Sequence, residues 1–381
     1  MGYLDIRSRE NIDAIMGETL SEYFHTKVTV ADQYRRGCFI LCPRLNTAVY
    51  DRAEKSVKRT VQRSHAVQSS PLLKLAMAAF ISVAISKQGM FGCKYIIFDR
   101  TPEHAESMVI LPGNMKIKIF DFQEGTVRNI LKTGFEKTSL QIEKNIRIDS
   151  DRAYILSLRM EQENVYCEDL IQGRSYDRLE PKLADALLGR IEDILLDIQQ
   201  GDRKTVGCVD YMAQQMQDMR RLLSQLHAEQ ALKKQVLSFA EQMCGYGEGE
   251  IVLSDSHGDF QNGNIFVSDD GKIYILDWET CATRSIGYDL LTFFYKFRYR
   301  ADYLMRIDSF LNDECWAARA QKYGVLFADK RVVLSIYFIE DIIWLLQEIL
   351  STPEKRCSDG IRKYSELEFQ RDVIERLEKC E

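Results

Sequence analysis

The chain has 381 residues, 45% of them hydrophobic, so it is long enough to bury a sizeable core and to form more than one compact unit. Its formal net charge of -6 lacks the basic character of a nucleic-acid binder, and we expect no nucleic-acid partner. The 10 cysteines are scattered without a CxxC pair. This pattern predicts free thiols in a reducing compartment and a cytoplasmic protein.

Residues 1–90 contain no chemical motif, and we treat them as an N-terminal extension of unknown role. The extension could be a dimer surface, a packing element or an elaborated edge of the next lobe. Its most apolar run, Leu72 to Ser86, contains Lys74 and is shorter than the ~20 residues that span a bilayer. We therefore predict a buried helix there and expect no membrane partner.

From residue 91 onward the pattern changes to short apolar runs separated by turns. Pro112-Gly113-Asn114 and Gln123-Glu124-Gly125 have the composition of tight turns. Consecutive short strands on tight turns predict an antiparallel meander. The predicted strands are Lys94–Phe98, Ser107–Leu111, Met115–Phe122 and Thr126–Lys132, followed by a helix at Glu136–Ile148 and a strand at Asn164–Ile171.

Residues 181 to about 246 and 287 to 350 carry apolar residues at the spacing of helices, and we predict both segments to be helical throughout. The fold class is therefore α+β. A small antiparallel-sheet lobe over residues 91–173 precedes a large, mainly helical lobe over residues 174–381. A short strand pair interrupts the second lobe.

That strand pair is predicted by Asp270-Gly271 between two apolar runs, because both residues of a two-residue hairpin turn must tolerate positive φ. Such a loop pairs Asp269 with Lys272 and, counted outward, places Asn264 opposite Asp277. Directly opposed residues have side-chain roots about 5 Å apart. An amide oxygen and a carboxylate would thus lie side by side, and both are hard oxygen ligands that suit Mg²⁺.

An Asn and an Asp beside a hairpin are often only solvated strand ends. Here that interpretation must also account for His257-Gly258-Asp259 upstream and Trp278-Glu279 downstream at matched spacing. Asp259 lies five residues before Asn264, from where it can reach the same site without binding the metal. The segment contains the set of groups that phosphoryl transfer requires.

His257-Gly258-Asp259, Asn264 and Asp277-Trp278-Glu279 resemble the signature of the aminoglycoside phosphotransferase and choline kinase-like superfamily. The resemblance implies a bilobal kinase-like fold and an ATP- and magnesium-dependent enzyme. It implies that Asp259 is the catalytic base and that Asn264 and Asp277 hold Mg²⁺. His257 would shape the loop, and Asp289 would brace it from a following helix.

The resemblance also implies a lysine on the third strand of the small lobe, which holds the nucleotide phosphates, and an acid on the next helix, which pairs with it. Lys132 is the candidate lysine. Glu143 fits the acid by spacing, with Glu136 as the alternative.

The segment Val165 to Gly173 resembles the hinge of the same family. In that family, the backbone carbonyl at the Glu168 position and the backbone N–H at the Leu170 position contact adenine.

We therefore predict transfer of the γ-phosphate of ATP or GTP to a hydroxyl of a small molecule, such as an antibiotic, a sugar, an amino alcohol or a nucleoside. One alternative is a kinase that acts on a macromolecular acceptor. The other is a non-catalytic nucleotide-binding scaffold. A scaffold of this kind has usually lost the base or a metal ligand. This sequence retains Asp259, Asn264 and Asp277.

Overall fold

The computed structural model describes residues 11–65, 71–85, 92–299, 302–326, 329–353 and 359–379. The strands are β1 (Val28–Ala31), β2 (Phe39–Cys42), β3 (Thr47–Tyr50), β4 (Lys94–Phe98), β5 (Met108–Pro112), β6 (Lys116–Asp121), β7 (Thr126–Leu131), β8 (Arg159–Gln162), β9 (Val165–Asp169), β10 (Gly173–Ser175), β11 (Lys204–Gly207), β12 (Glu250–Ser256), β13 (Ile265–Ser268), β14 (Ile273–Ile275) and β15 (Ala282–Ser285). The helices are α1 (Ile12–Phe24), α2 (Lys55–His65), α3 (Pro71–Ala84), α4 (Thr138–Arg147), α5 (Pro181–Ile198), α6 (Cys208–Gln225), α7 (Gln230–Cys244), α8 (Gly287–Phe294), α9 (Tyr303–Leu311), α10 (Trp316–Tyr323), α11 (Lys330–Leu350), α12 (Asp359–Lys363) and α13 (Leu367–Glu378).

The chain divides into two compact units. The first comprises Met1–Arg174 and Ser268–Asp270, and the second comprises Ser175–Val267 and Gly271–Glu381. An antiparallel sheet dominates the first unit and helices dominate the second, which confirms the predicted α+β class.

Nine strands among the described residues of the first unit form one antiparallel sheet, in the order β1-β4-β2-β3-β5-β6-β7-β9-β8. The predicted meander is present as β5-β6-β7. The placement of Lys94–Phe98 in that meander was wrong. This strand, β4, pairs instead with β1 and β2, because strands from the first 90 residues cover both of its edges.

The segment predicted as an N-terminal extension contributes β1, β2 and β3 to the same sheet, and β3 pairs directly with β5 through Ala48 opposite Ile110. Ile40 and Val49 share one fully buried core with Ile96 and Ile110. These residues therefore form one edge of the sheet and part of its core. Residues 1–10, 66–70 and 86–90 of the segment lie outside the described part of the chain.

Helix α3 forms where the apolar run predicted it, but its first turns are not buried. Leu72 is 80% exposed and Leu75 is 72% exposed. Only the far end of the helix reaches the core, where Ile81 and Ala84 are buried. No helix within the described ranges is both long and apolar enough to cross a bilayer.

The second unit is arranged around α11, which is buried along most of its length and packs against α6, α7 and α8. The prediction of unbroken helix from residue 181 to about 246 was wrong at β11, which pairs with β12 through Thr205 opposite Val252. Gly201 ends the preceding helical pattern, and the β-branched Thr205 and Val206 favour a strand. Strand β15 pairs with the other edge of β12.

Because residues 12–50 supply strands to the shared sheet, truncating a core side chain there should destabilise the first unit. Leu41 on β2 is fully buried. We expect Leu41→Ala to lower the free energy of unfolding by about 3 kcal/mol, since it removes buried methyl groups and leaves a cavity. Chemical denaturation measures the change.

The matched control is Leu72→Ala on α3, where the leucine is 80% exposed and the same atoms are removed from water rather than from a core. This variant should unfold within about 0.5 kcal/mol of the unaltered protein. Equal effects at the two positions would contradict a core shared by the first strands and the rest of the sheet.

Candidate active site

The hairpin of β13 and β14 has a register one residue away from the predicted one. Ile265 pairs with Ile275 and Val267 with Ile273, whereas a two-residue Asp270-Gly271 turn requires Ile265 opposite Leu276. The Ser268 hydroxyl donates to the Asp270 carboxylate, and this local contact belongs to a turn that is longer than two residues. A shift of one residue turns every side chain to the other face of a strand.

The direct pairing of Asn264 with Asp277 was therefore wrong. Asn264 ends a short 3-10 helix, Asn262–Asn264, and its backbone carbonyl accepts the N–H of Leu276 at 2.8 Å. Asp277 directly follows Leu276 and adopts a left-handed conformation with φ of 58°. The two residues remain neighbours through the backbone, but their side chains do not form an opposed strand pair.

The side-chain amide of Asn264 is oriented by the candidate base. Its Nδ2 donates to the backbone carbonyl of Asp259 at 2.9 Å and to Oδ2 of the same residue at 2.8 Å. An amide carries its donor and its acceptor on opposite branches. With the nitrogen committed to Asp259, the amide oxygen of Asn264 points away from that carboxylate, as a metal ligand requires.

Asp259 itself has neighbours at both carboxylate oxygens. Oδ2 accepts from Gln261 Nε2 at 3.0 Å as well as from Asn264, and Oδ1 lies 3.2 Å from Nε of Arg298. The side chain is 22% exposed, so a solute can still reach it. The site therefore presents an accessible carboxylate whose orientation is fixed by two hydrogen-bond donors at Oδ2 and by an ion pair at Oδ1.

The loop before Asp259 is held by Asp289, near the start of α8. One carboxylate oxygen of Asp289 accepts the N–H of His257 at 2.8 Å, and the other accepts the N–H of Gly258 at 3.0 Å. Asp289 is fully buried. As expected from the sequence, it braces the loop from the following helix.

His257 links the same loop to the end of β14. Its Nδ1 accepts the N–H of Asp259 at 3.2 Å, so the hydrogen is on Nε2, which donates to the carbonyl of Leu276 at 3.0 Å. The ring is buried against Trp278, with centroids 4.7 Å apart. These contacts match the expectation that His257 shapes the loop.

The Asp277 position is also locally fixed. Next to it, Trp278 is buried, and its indole N–H donates to the carbonyl of Ile275 at 2.8 Å. Asp tolerates the left-handed region better than most residues, and such conformations occur often at functional sites. Asn264 and Asp277 thus offer one amide oxygen and one carboxylate on a short, braced stretch of backbone.

These two donors fit Mg²⁺, which prefers hard oxygen ligands and takes only one or two from protein while phosphates and water supply the rest. Within the described ranges, no cluster of three or more His, Cys, Asp or Glu side chains has the arrangement of a metal site.

In the first unit, Glu143 pairs with Lys116, where the sequence analysis expected Lys132. Lys116 Nζ lies 3.2 Å from Glu143 Oε1 and also donates to the Tyr166 hydroxyl at 3.2 Å. Lys132 follows the last residue of β7, and its ammonium donates to the carbonyl of Asn114. Lys116 and Tyr166 lie on the same face of the sheet, and helix α4 places Glu143 on that face. Lys116 therefore occupies the position beside Glu143 that was predicted for Lys132.

The ion pair of Lys116 belongs to a buried network that α4 completes. Arg147, one turn after Glu143, donates to its Oε2 at 2.7 Å and also to the carboxylate of Glu168. Glu168 in turn accepts from Asn129 Nδ2 at 3.1 Å. Two cations and two carboxylates thus balance one another inside the unit, which compensates for the cost of burying them.

One of the predicted hinge residues, Leu170, already forms a backbone hydrogen bond within the first unit. The backbone N–H of Leu170, expected to contact adenine, donates to the carbonyl of Gly125 at 2.8 Å. Thr126, the first residue of β7, lies opposite Asp169, the last residue of β9. The bond between Leu170 and Gly125 therefore continues this strand pairing by one residue beyond both strands. Leu170 is therefore already satisfied within the sheet, and the sequence did not reveal this additional pairing.

Sequence reasoning missed two cationic residues. Lys116 had a misleading signal, because it alternates with Ile117 and Ile119 and shares its strand face with Lys118, which is the pattern of a polar, solvated face. Arg298 had none, because residues 287–350 were predicted as helix, whereas α8 ends at Phe294 and a loop carries Arg298. Its contact with Asp259 is long-range and arises only on folding.

A sequence model of the phosphotransferase enzyme family matches residues 169–326, which contain Asp259, Asn264 and Asp277. The match confirms, over this part of the chain, the resemblance proposed from the motif. No curated protein matches the chain.

Among solved structures, the chain is similar to choline kinase LicA from Streptococcus pneumoniae, with 12% identity and a TM-score of 0.42, over 72% of this chain and 90% of that one. It is similar to a thermostable mutant of aminoglycoside phosphotransferase APH(4)-Ia in complex with ADP and hygromycin B, with 13% identity and a TM-score of 0.45, over 71% and 93% of the two chains. It is also similar to a choline kinase from Cryptosporidium parvum Iowa II, with 12% identity and a TM-score of 0.42, over 71% and 90%.

Gly258 is the residue of the loop that tolerates substitution least. It has φ of +78°, and a Cβ there would collide with the carbonyl of Thr280 and the guanidinium of Arg284. We expect Gly258→Ala to cost about 2–4 kcal/mol in the free energy of unfolding, as backbone strain and overpacking add together. Thermal or chemical unfolding measures the loss.

Gly271→Ala is the matched control, because Gly271 also has a positive φ, of +80°, but no atom lies within 4 Å of the added Cβ. This variant should lose only about 1 kcal/mol, from strain alone. If the two variants unfold alike, the close packing around Gly258 does not constrain the loop.

Proposed function

We propose that this protein transfers the γ-phosphate of ATP or GTP to a hydroxyl of a small molecule, with Mg²⁺. One observation carries the proposal. Asp259 is an accessible carboxylate fixed by Asn264 and Gln261 on a braced loop, within the segment that matches the phosphotransferase enzyme family.

Asp259 is the proposed base. A carboxylate that accepts or orients the proton of an acceptor hydroxyl must be reachable and must keep one orientation. The 22% exposure of Asp259 meets the first requirement, and its contacts at both oxygens meet the second. Phosphoryl transfer depends mainly on such positioning and on charge neutralisation, with little covalent chemistry from the protein.

Asn264 and Asp277 are the proposed Mg²⁺ ligands. When bound, the metal would neutralise charge on the nucleotide phosphates. The chain's own contribution is to hold the two oxygen donors in place. The Asn264 amide is anchored to Asp259, and the Asp277 backbone follows Leu276, whose N–H donates to Asn264.

Lys116 replaces Lys132 as the proposed lysine for the nucleotide phosphates. Glu143 holds its ammonium group, the role that the sequence analysis expected for the acid on the helix. Lys132 instead ties the end of β7 to Asn114 in the turn before β6. An adenine contact through the backbone carbonyl of Glu168 stays a prediction.

The other two hypotheses predict different behaviour. A macromolecular acceptor would leave small hydroxyl compounds unphosphorylated while a protein or polysaccharide is modified. A scaffold would bind nucleotide without any turnover. The chain retains Asp259, Asn264 and Asp277, and the Asn264 amide donates hydrogen bonds to Asp259. Retention of these residues favours an active enzyme over a scaffold.

The Asp259→Asn variant tests the base. We expect turnover to fall by roughly 1,000-fold or more, because the amide cannot accept the hydroxyl proton, while Mg·ATP still raises the melting temperature. ADP release is measured with a panel of antibiotics, sugars, amino alcohols and nucleosides. Asp151→Asn, at an exposed carboxylate of the first unit, is the matched control and should retain full activity.

Near-normal turnover in Asp259→Asn would rule out this role for the carboxylate. No turnover by the unaltered protein with any small acceptor, despite nucleotide binding, would move support to a macromolecular acceptor or a scaffold.

The assignment of the phosphate lysine is tested by comparing Lys116→Met with Lys132→Met. We expect Lys116→Met to weaken Mg·ATP binding on the order of 100-fold, because a charge-assisted phosphate contact is lost, and Lys132→Met to weaken it far less. Calorimetric titration gives both affinities, and circular dichroism checks that each variant is folded. The reverse order of effects would restore Lys132 as the phosphate lysine.

A further inference from the structure

The loop after α8 carries a buried cation that the sequence motif does not include. We propose that Arg298 is a positioning residue for the transfer reaction, which holds both the backbone before Asp259 and the Asp259 carboxylate in the reactive arrangement. The inference rests on the proposed function, since it gives Arg298 a role only if Asp259 acts on an acceptor.

Arg298 is anchored to the catalytic loop through its guanidinium. The side chain is only 7% exposed. Nη2 donates to the carbonyl of Gly258, the residue before Asp259, and to the hydroxyl of Tyr288 at 2.8 Å. The loop backbone is therefore held from two sides, by Asp289 at its N–H groups and by Arg298 at a carbonyl.

The same guanidinium provides the charge beside the candidate base. Its Nε lies 3.2 Å from Asp259 Oδ1, and its Nη1 donates to Asp341 Oδ1 at 2.9 Å. The geometry at Nε is that of an ion pair, because this N–H makes no aligned hydrogen bond in the described part of the chain. One buried cation thus lies between two carboxylates.

Arg298 is charged in this environment. Burial by itself lowers the pKa of the guanidinium, but Tyr288, Asp341 and Asp259 outweigh burial and hold the pKa above its ordinary value. A neutral side chain of the same length would leave the two carboxylates without the cation between them, which is costly for charges that are largely buried.

The plane of the guanidinium is fixed by aromatic rings. Its carbon lies 3.5 Å from the centroid of Trp344 and 5.5 Å from that of Tyr288. Asp341 is held in turn by the Tyr364 hydroxyl at 2.7 Å. Arginine suits this position because its planar fork donates in several directions and stacks on rings, whereas lysine offers a compact charge without the fork.

The consequence concerns the rate rather than nucleotide binding. A misplacement of about 1 Å at a reacting group can cost on the order of 100-fold in rate. Among the described residues, the hydrogen-bond and ion-pair partners of Arg298 are Asp259, Gly258, Tyr288 and Asp341. The proposed metal ligands, Asn264 and Asp277, are not among them. Loss of Arg298 should therefore lower kcat while the affinity for Mg·ATP is retained.

The experiment compares Arg298→Met and Arg298→Lys in the full chain. Steady-state kinetics with the best acceptor from the panel give kcat and KM, and calorimetry gives the affinity for Mg·ATP. We expect Arg298→Met to lower kcat on the order of 100-fold with nucleotide affinity within about threefold of the unaltered value. Arg298→Lys should recover roughly tenfold of that loss, because the charge returns without the fork.

Arg319→Met is the matched control. Arg319 also pairs with an aspartate, through Nη1 to Asp313 Oδ2 at 2.6 Å, and lies 4.4 Å from the centroid of the Phe294 ring. No contact with Asp259 or its loop is among its hydrogen bonds and ion pairs in the described residues. It should lose some stability but keep kcat within about threefold of the unaltered protein.

The inference is overturned if Arg298→Met keeps kcat within about threefold, or if its loss of activity only parallels a loss of stability that Arg319→Met shows as well. If Arg298→Met does not fold, Arg298→Lys and Arg319→Lys carry the comparison, and equal kcat values overturn the inference. Absence of turnover in the unaltered protein would overturn the proposed function together with this role. If Asp259→Asn lowers kcat and Arg298→Met does not, only the role of Arg298 is overturned.

Discussion

The candidate site depends on the two hydrogen bonds by which Asp289 accepts the backbone N–H groups of His257 and Gly258. A loop whose donors point inward needs a buried acceptor, and a carboxylate supplies two oxygens at once. The positive φ of Gly258 turns the chain so that both N–H groups face Asp289. The contacts of the His257 ring with Leu276 and of the Asn264 amide with Asp259 are made from the same loop.

Buried charge is balanced locally in both units. In the first, Lys116 and Arg147 face Glu143 and Glu168 on one face of the sheet. In the second, Arg298 faces Asp259 and Asp341. Such networks add little to stability compared with apolar packing, but removing one member leaves a buried charge without compensation. The presence of these networks is therefore better explained by what they position than by what they stabilise.

Much of the fold followed from local patterns. The β5-β6-β7 meander, helix α4 and strand β9 formed close to the predicted positions, because alternation, turn residues and helical spacing are short-range signals. The place of β4 between β1 and β2 did not follow, since strand order depends on pairings far apart in sequence. The exposed start of α3 likewise depended on how much of the helix the core could cover.

For the site, the sequence by itself identified the candidate base Asp259 and the candidate oxygen donors Asn264 and Asp277, and its resemblance to a family pointed to Asp289 as the brace of the loop. Only the tertiary structure decided the register of the hairpin, which depends on the length of a single turn. Only the tertiary structure placed Lys116 beside Glu143 and brought Arg298 to Asp259. The physical reason is that motif spacing reflects the local backbone, whereas the partner of a buried charge is selected by packing between elements distant in the chain.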